Sequence, residues 1–124
     1  DALTFTKANN ADWTQEANQD RITDSVWITR ADSMGIFNIA KEMEYMEDSS
    51  PADTEWSFGT TADINSLTFT SWEEMFEMGG PPNNLDKDMV VHLITDDIYI
   101  DIKFTAWTSM AMGGGFTYER STPN

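Results

Sequence analysis

The chain has 124 residues and carries seven Lys and Arg against 22 Asp and Glu, a formal net charge of −15. A field of that sign repels phosphates and anionic lipid, which argues against nucleic-acid and membrane partners, and it favours cations. There is no cysteine, so disulfides, thiolate zinc sites and thiol nucleophiles are excluded.

One domain over 1–124 is expected from the length, with room for a core that needs no covalent staples. The chain opens on Asp1 and contains neither an 18-residue apolar run nor the apolar stretch of a signal peptide, as a processed secreted protein or an excised fragment would. Abundant Thr, Asn, Asp, Trp and Gly with little Lys favour a secreted or cell-surface protein.

Leu3-Thr-Phe-Thr6 alternates apolar and polar residues and reads as a first strand. The stretch from Ala8 to Asp20 is rich in turn formers and reads as a loop, with Trp13 pinning it to the body of the domain. Between Arg21 and Arg30, Val26 and Ile28 share one face, and Trp27 and Thr29 share the other. A turn at Asp32-Ser-Met-Gly35, with Gly35 at a positive φ, leads into Ile36-Phe-Asn-Ile39 and closes a hairpin. Ala40 to Glu47 fits helix and strand about equally, and its strand neighbours favour strand. Glu55-Trp-Ser-Phe58 and Leu67-Thr-Phe-Thr70 read as further strands. Ser71 caps a short helix near 71–78, with Glu74 completing a capping box and Trp72, Met75 and Phe76 on one face.

The clearest pattern lies between Asp88 and Trp107, which reads as a hairpin. Val91 and Leu93 alternate on the way in, and Ile98, Ile100, Ile102 and Phe104 on the way out. A two-residue turn at Asp96-Asp97 sets His92, the single histidine, opposite Asp101, with Ile94 opposite Tyr99 and Lys103 on the same outer face. Phe116-Thr-Tyr118 begins a last strand. Short strands at regular spacing with one short helix predict an all-β fold, a β-sandwich or jelly-roll-like barrel of antiparallel strands.

Catalysis finds no support in these residues: there is no His pair, GxSxG or phosphate loop, and the carboxylates are too many for any pair to stand out. Calcium is one alternative, because acidic loop clusters occur at Asp12, Glu16, Asp20 and Asp24, at Asp48, Asp53 and Glu55, and at Asp96 and Asp97. A soft metal is the sharper expectation. Eight methionines are many for this length, and Met43 with Met46, Met75 with Met78, and Met110 with Met112 fall in pairs. Thioether and imidazole ligands suit Cu(I), although the same methionines also fill cores.

The phrases Ala11-Asp-Trp-Thr14, Asn18 to Asp24, Val26-Trp-Ile-Thr-Arg30, Gly35-Ile-Phe-Asn38, Ser50 to Trp56 and His92 to Asp101 together resemble a secreted bacterial all-β module of largely unknown function. They are also similar to the copper-binding surface proteins of methane-oxidising bacteria, the MopE/CorA type. That resemblance implies a copper held by two histidines and an oxidised tryptophan, two of them from a Trp-x-His stretch. Here the match is Trp27-Ile-Thr29 with His92 downstream. Thr29 stands where the family has histidine, so the implied ligand set would be completed by the α-amine of Asp1, a methionine or a carboxylate.

The expectation is therefore a secreted metal-binding domain without turnover, with copper on His92, Trp27 adjacent and Asp101 orienting the imidazole, or calcium at Asp96 and Asp97. The alternative is an adhesion or surface-assembly module that contacts a glycan or another copy of itself, with Trp13, Trp56, Trp72 and Trp107 as aromatic platforms.

Overall fold

The structure, a computed structural model, describes residues 2–77 and 79–123. The strands are β1 (Ala2–Lys7), β2 (Asp20–Arg21), β3 (Trp27–Arg30), β4 (Ile36–Asn38), β5 (Thr54–Phe58), β6 (Met89–Leu93), β7 (Ile98–Trp107) and β8 (Phe116–Ser121), and the helix α1 spans Trp72–Phe76. They form two antiparallel sheets, a five-stranded one in the order β1-β8-β7-β6-β5 and a three-stranded one in the order β2-β3-β4. The protein is thus all-β and sandwich-like with one short helix, as its patterning predicts. Met78 and Asp1, the expected helix end and the candidate amine ligand, lie outside the described residues.

Period-two alternation builds the core. Val91, Leu93, Ile100, Ile102 and Phe104 from the large sheet meet Val26, Ile28 and Ile36 from the small one in a single buried cluster. Helix α1 adds Trp72, Met75 and Phe76 to that cluster. Its start follows the predicted cap: Ser71 Oγ accepts from the Glu74 backbone N–H at 3.2 Å. In β7 a bulge at Thr105 shifts the register between Phe104 and Ala106.

Several local expectations are corrected. The hairpin register is Leu93 with Ile98, His92 with Tyr99 and Val90 with Asp101, so the connection runs over 94–97 and His92 does not face Asp101. The cause is Asp53, whose carbonyl accepts from Ile94 N at 3.0 Å and whose Oδ1 accepts from Thr95 N and Oγ1 at 3.0 and 2.9 Å. Those bonds draw Ile94 and Thr95 out of the ladder. The shift is two residues, so each side chain keeps the face the alternation assigned it.

In the β3–β4 turn the positive φ belongs to Met34, at 68°, and not to Gly35. Gly35 answers a different need: a Cβ there would stand 2.5 Å from the Tyr45 ring and 2.7 Å from that of Trp72. The 40–47 stretch is a series of turns, neither strand nor helix. Glu42 gathers it, with Oε1 accepting from Asn38 N and Ala52 N at 2.8 Å each. Of Leu67 to Thr70 only Thr70 pairs, in an isolated bridge to Trp56 that covers the outer edge of β5.

Candidate functional site

The best-built polar arrangement lies on the outer face of the large sheet, where antiparallel register sets Glu55, His92 and Tyr99 side by side across β5, β6 and β7. His92 Nδ1 is 2.7 Å from Glu55 Oε2, and Nε2 is 2.9 Å from Asp97 Oδ1 at the hairpin tip. The Tyr99 ring stacks on the imidazole with centroids 4.1 Å apart and planes 8° from parallel. Phe69 meets both rings edge-on, at 6.2 and 5.6 Å.

A neutral imidazole carries a single N–H, so donation to both carboxylates requires the imidazolium. Burial of His92 works against that charge, but the hydrogen bonds and negative charges of Glu55 and Asp97 outweigh it and raise the pKa above the ordinary histidine value.

The three residues expected to form a metal site are not brought together. Asp101 lies on the same face as His92 but opposite Val90. Its Oδ1 accepts from Thr61 N at 2.8 Å and its Oδ2 from Thr61 Oγ1 at 2.7 Å, which ties the 59–70 connection across the sheet. Trp27 points outward from the small sheet, between the buried Val26 and Ile28, with the Arg21 guanidinium 3.9 Å from its ring centroid. His92 points outward from the large sheet, so the two side chains lie on opposite outer surfaces of the sandwich. Thr29 donates its hydroxyl to Asn18 O at 2.7 Å.

Among the described residues no group of three or more His, Asp or Glu comes together in a form that holds a metal ion. The acidic loop clusters are dispersed into separate tasks. Asp20 is buried on Arg120 and Tyr118, Asp96 accepts from Thr23, and Asp53 holds Thr95. Of the paired methionines, Met75 is core, while Met43 at 93% exposure and Met46 at 54% are not. Trp56 and Trp72 are buried, and Trp13 and Trp107 half-buried, the latter beneath Arg30. The exposed aromatic is Tyr99, at 41%.

Tyr99 borders an open groove of about 560 Å³ with Thr61, Ile64, Asp101, Ser121 and Thr122. Sequence reasoning missed Glu55 as a neighbour of His92 and set Tyr99 on the same face but opposite Ile94, since both placements depend on strand register. The five-residue spacing from His92 to Asp97 was the one local signal available. No family model, curated protein or solved structure matches the chain.

Proposed function

We propose that this protein is a non-catalytic extracellular binding module that holds a neutral glycan on the outer face of its large sheet, at Tyr99. One observation carries the reading: the half-exposed Tyr99 ring, backed by His92, borders a groove that sets the Thr61, Ser121 and Thr122 hydroxyls and the Asp101 carboxylate beside the apolar Ile64, Ile98 and Pro123. An aromatic face of this kind packs against the C–H face of a sugar ring, and Asp101, Ser121 and Thr122 supply acceptors and donors for sugar hydroxyls. The charge of −15 disfavours acidic sugars. Composition supports work outside the cell.

The test is NMR titration with a panel of neutral hexose and N-acetylhexosamine oligosaccharides. Expected are backbone shifts confined to the Tyr99 groove, lost in Tyr99→Ala. If no oligosaccharide perturbs the groove, or Tyr99→Ala binds as well as the parent, the glycan reading fails.

A second reading, copper or calcium, draws on the line Glu55, His92, Asp97. A carboxylate on Nδ1 is the usual orienting partner of a metal-bound imidazole, and Nε2 faces the exposed Asp97. A metal there displaces the bridging proton, so its uptake rises with pH. Copper and calcium titrations at pH 6 and 8, on the parent and on His92→Ala, test it, with an intact mass to report on Trp27. Uptake that survives His92→Ala removes this site.

A further inference from the structure

At the end of the sandwich where β3 turns into β4 and β7 into β8, two loops are joined. Gly113 N donates to Asp32 O at 3.2 Å. Arg30 clamps both loops from below, donating through Nε to Met34 O at 2.7 Å and through Nη1 to Gly115 O at 3.0 Å. Three methionines project from this joined surface, with Met34, Met110 and Met112 exposed by 64%, 88% and 70%. Met34 is two residues from Asp32 and Met112 is next to Gly113, so the side chains spring from either side of one hydrogen bond.

Nothing about folding calls for them. Met34 has φ 68° and Met110 has φ 61°, followed by Ala111 at 58°. Glycine or asparagine holds that left-handed conformation at lower cost, and a branchless side chain in water gains no burial in return. The same costly choice is made in each of two touching turns. Backbone strain of this kind collects where a side chain is needed for contact.

We infer that Met34, Met110 and Met112 form a thioether site for a soft monovalent metal ion, Cu(I) in chemical class. Thioethers are soft, neutral ligands that select Cu(I) over hard cations. Methionine side chains are long and unbranched, and the hydrogen bond between Asp32 and Gly113 limits the gap that they must span. The chain's net charge of −15 draws a cation towards the surface and repels anionic lipid. This site is on different strands and loops from His92 and Tyr99 and stands or falls without them.

The experiment is anaerobic competition of the whole protein against the Cu(I)–bicinchoninate complex. It is paired with NMR of the methionine methyl groups during addition of Ag(I), a diamagnetic ion of the same class. Expected are withdrawal of one Cu(I) per chain and shifts of the Met34, Met110 and Met112 methyls, with Met43 and Met46 still. Replacing the three methionines by leucine keeps the apolar bulk and is expected to weaken uptake at least about tenfold, while His92→Ala leaves it unchanged. Absence of uptake by the parent, equal uptake by the leucine variant, or Ag(I) shifts outside these three methyls would overturn the site.

Discussion

His92 works as a charged strut between the edge strand β5 and the hairpin tip. Its folded pKa is raised, so the stabilisation is fully present below the unfolded histidine value near 6.5 and is lost as pH rises through the folded pKa. Above that point the ring keeps one N–H, and one of its two carboxylate bonds goes. Asp97 is exposed, which limits that arm to about 1 kcal/mol. Denaturant melts of the parent and of His92→Gln between pH 5 and 9 should therefore converge as pH rises. A constant gap across the range would show that the second bond contributes nothing. Lys7 illustrates the opposite sign: burial lowers its pKa, and its Nζ reaches Gly114 O at 3.3 Å.

The turns decide more than the strands do at the scale of single elements. Gly114 has φ 72°, and a Cβ there would fall 1.8 Å from Ala31 O, a backbone atom that cannot swing aside. Gly114→Ala is expected to cost at least about 2 kcal/mol, since the left-handed penalty is joined by separation of the two loops. Gly80 is the control, because its φ is 59° but the nearest atom to an added Cβ is Pro82 Cδ at 3.8 Å. Gly80→Ala should lose about 1–3 kcal/mol by thermal melting, from backbone strain alone, because φ 59° with ψ −163° is a conformation that glycine holds and other residues rarely do. Equal losses at the two glycines would mean that the Gly114 contact is not tight. The turn that moved the β6–β7 register belongs to the same theme, because the Asp53 carboxylate reaches Thr95 from 42 residues away, a separation that no local pattern encodes.

A buried ion pair fixes the two sheets to each other. Asp20 on β2 takes Arg120 Nε and Nη2 of β8 at 2.7 and 2.9 Å, and Tyr118 donates its hydroxyl to the same carboxylate at 2.6 Å. Burial, reinforced by the Asp20 charge, pushes the Tyr118 phenol far up, so it remains a donor throughout the physiological range. Removing one partner strands a buried charge. Asp20→Ala should therefore destabilise by about 3–5 kcal/mol, and Tyr118→Phe, which leaves the ion pair intact, by about 1.5–3 kcal/mol. The combined variant should lose less than the sum, because both partners act through one carboxylate. Additive losses in denaturant melts would contradict a shared network.

How far the sequence was legible follows from the range of the forces involved. Alternation at Val91 and Leu93 and at Ile98 to Phe104 established strands, faces and an all-β class, because burial of one sheet face acts on every second residue locally. Ser71 with Glu74 marked the helix start for the same reason: a cap and the backbone N–H that donates to it lie within one turn. The 40–47 stretch defeated that reasoning, since its conformation depends on Glu42 meeting Ala52 N and on Glu73 meeting Tyr45 and Asp48. The surroundings of His92 were partly legible, as its outward face and the nearness of a hairpin carboxylate are local, but the partner chosen was Asp97 and not Asp101. Chain order and pattern determined which residues turn inward. Only the tertiary structure decided that Glu55 and Tyr99 flank His92, that Trp27 lies on the far side, and that the turn at Asp32 meets the loop at Gly113. Register and sheet packing are set by contacts between distant residues, and one sequence read along its length carries no record of those distances.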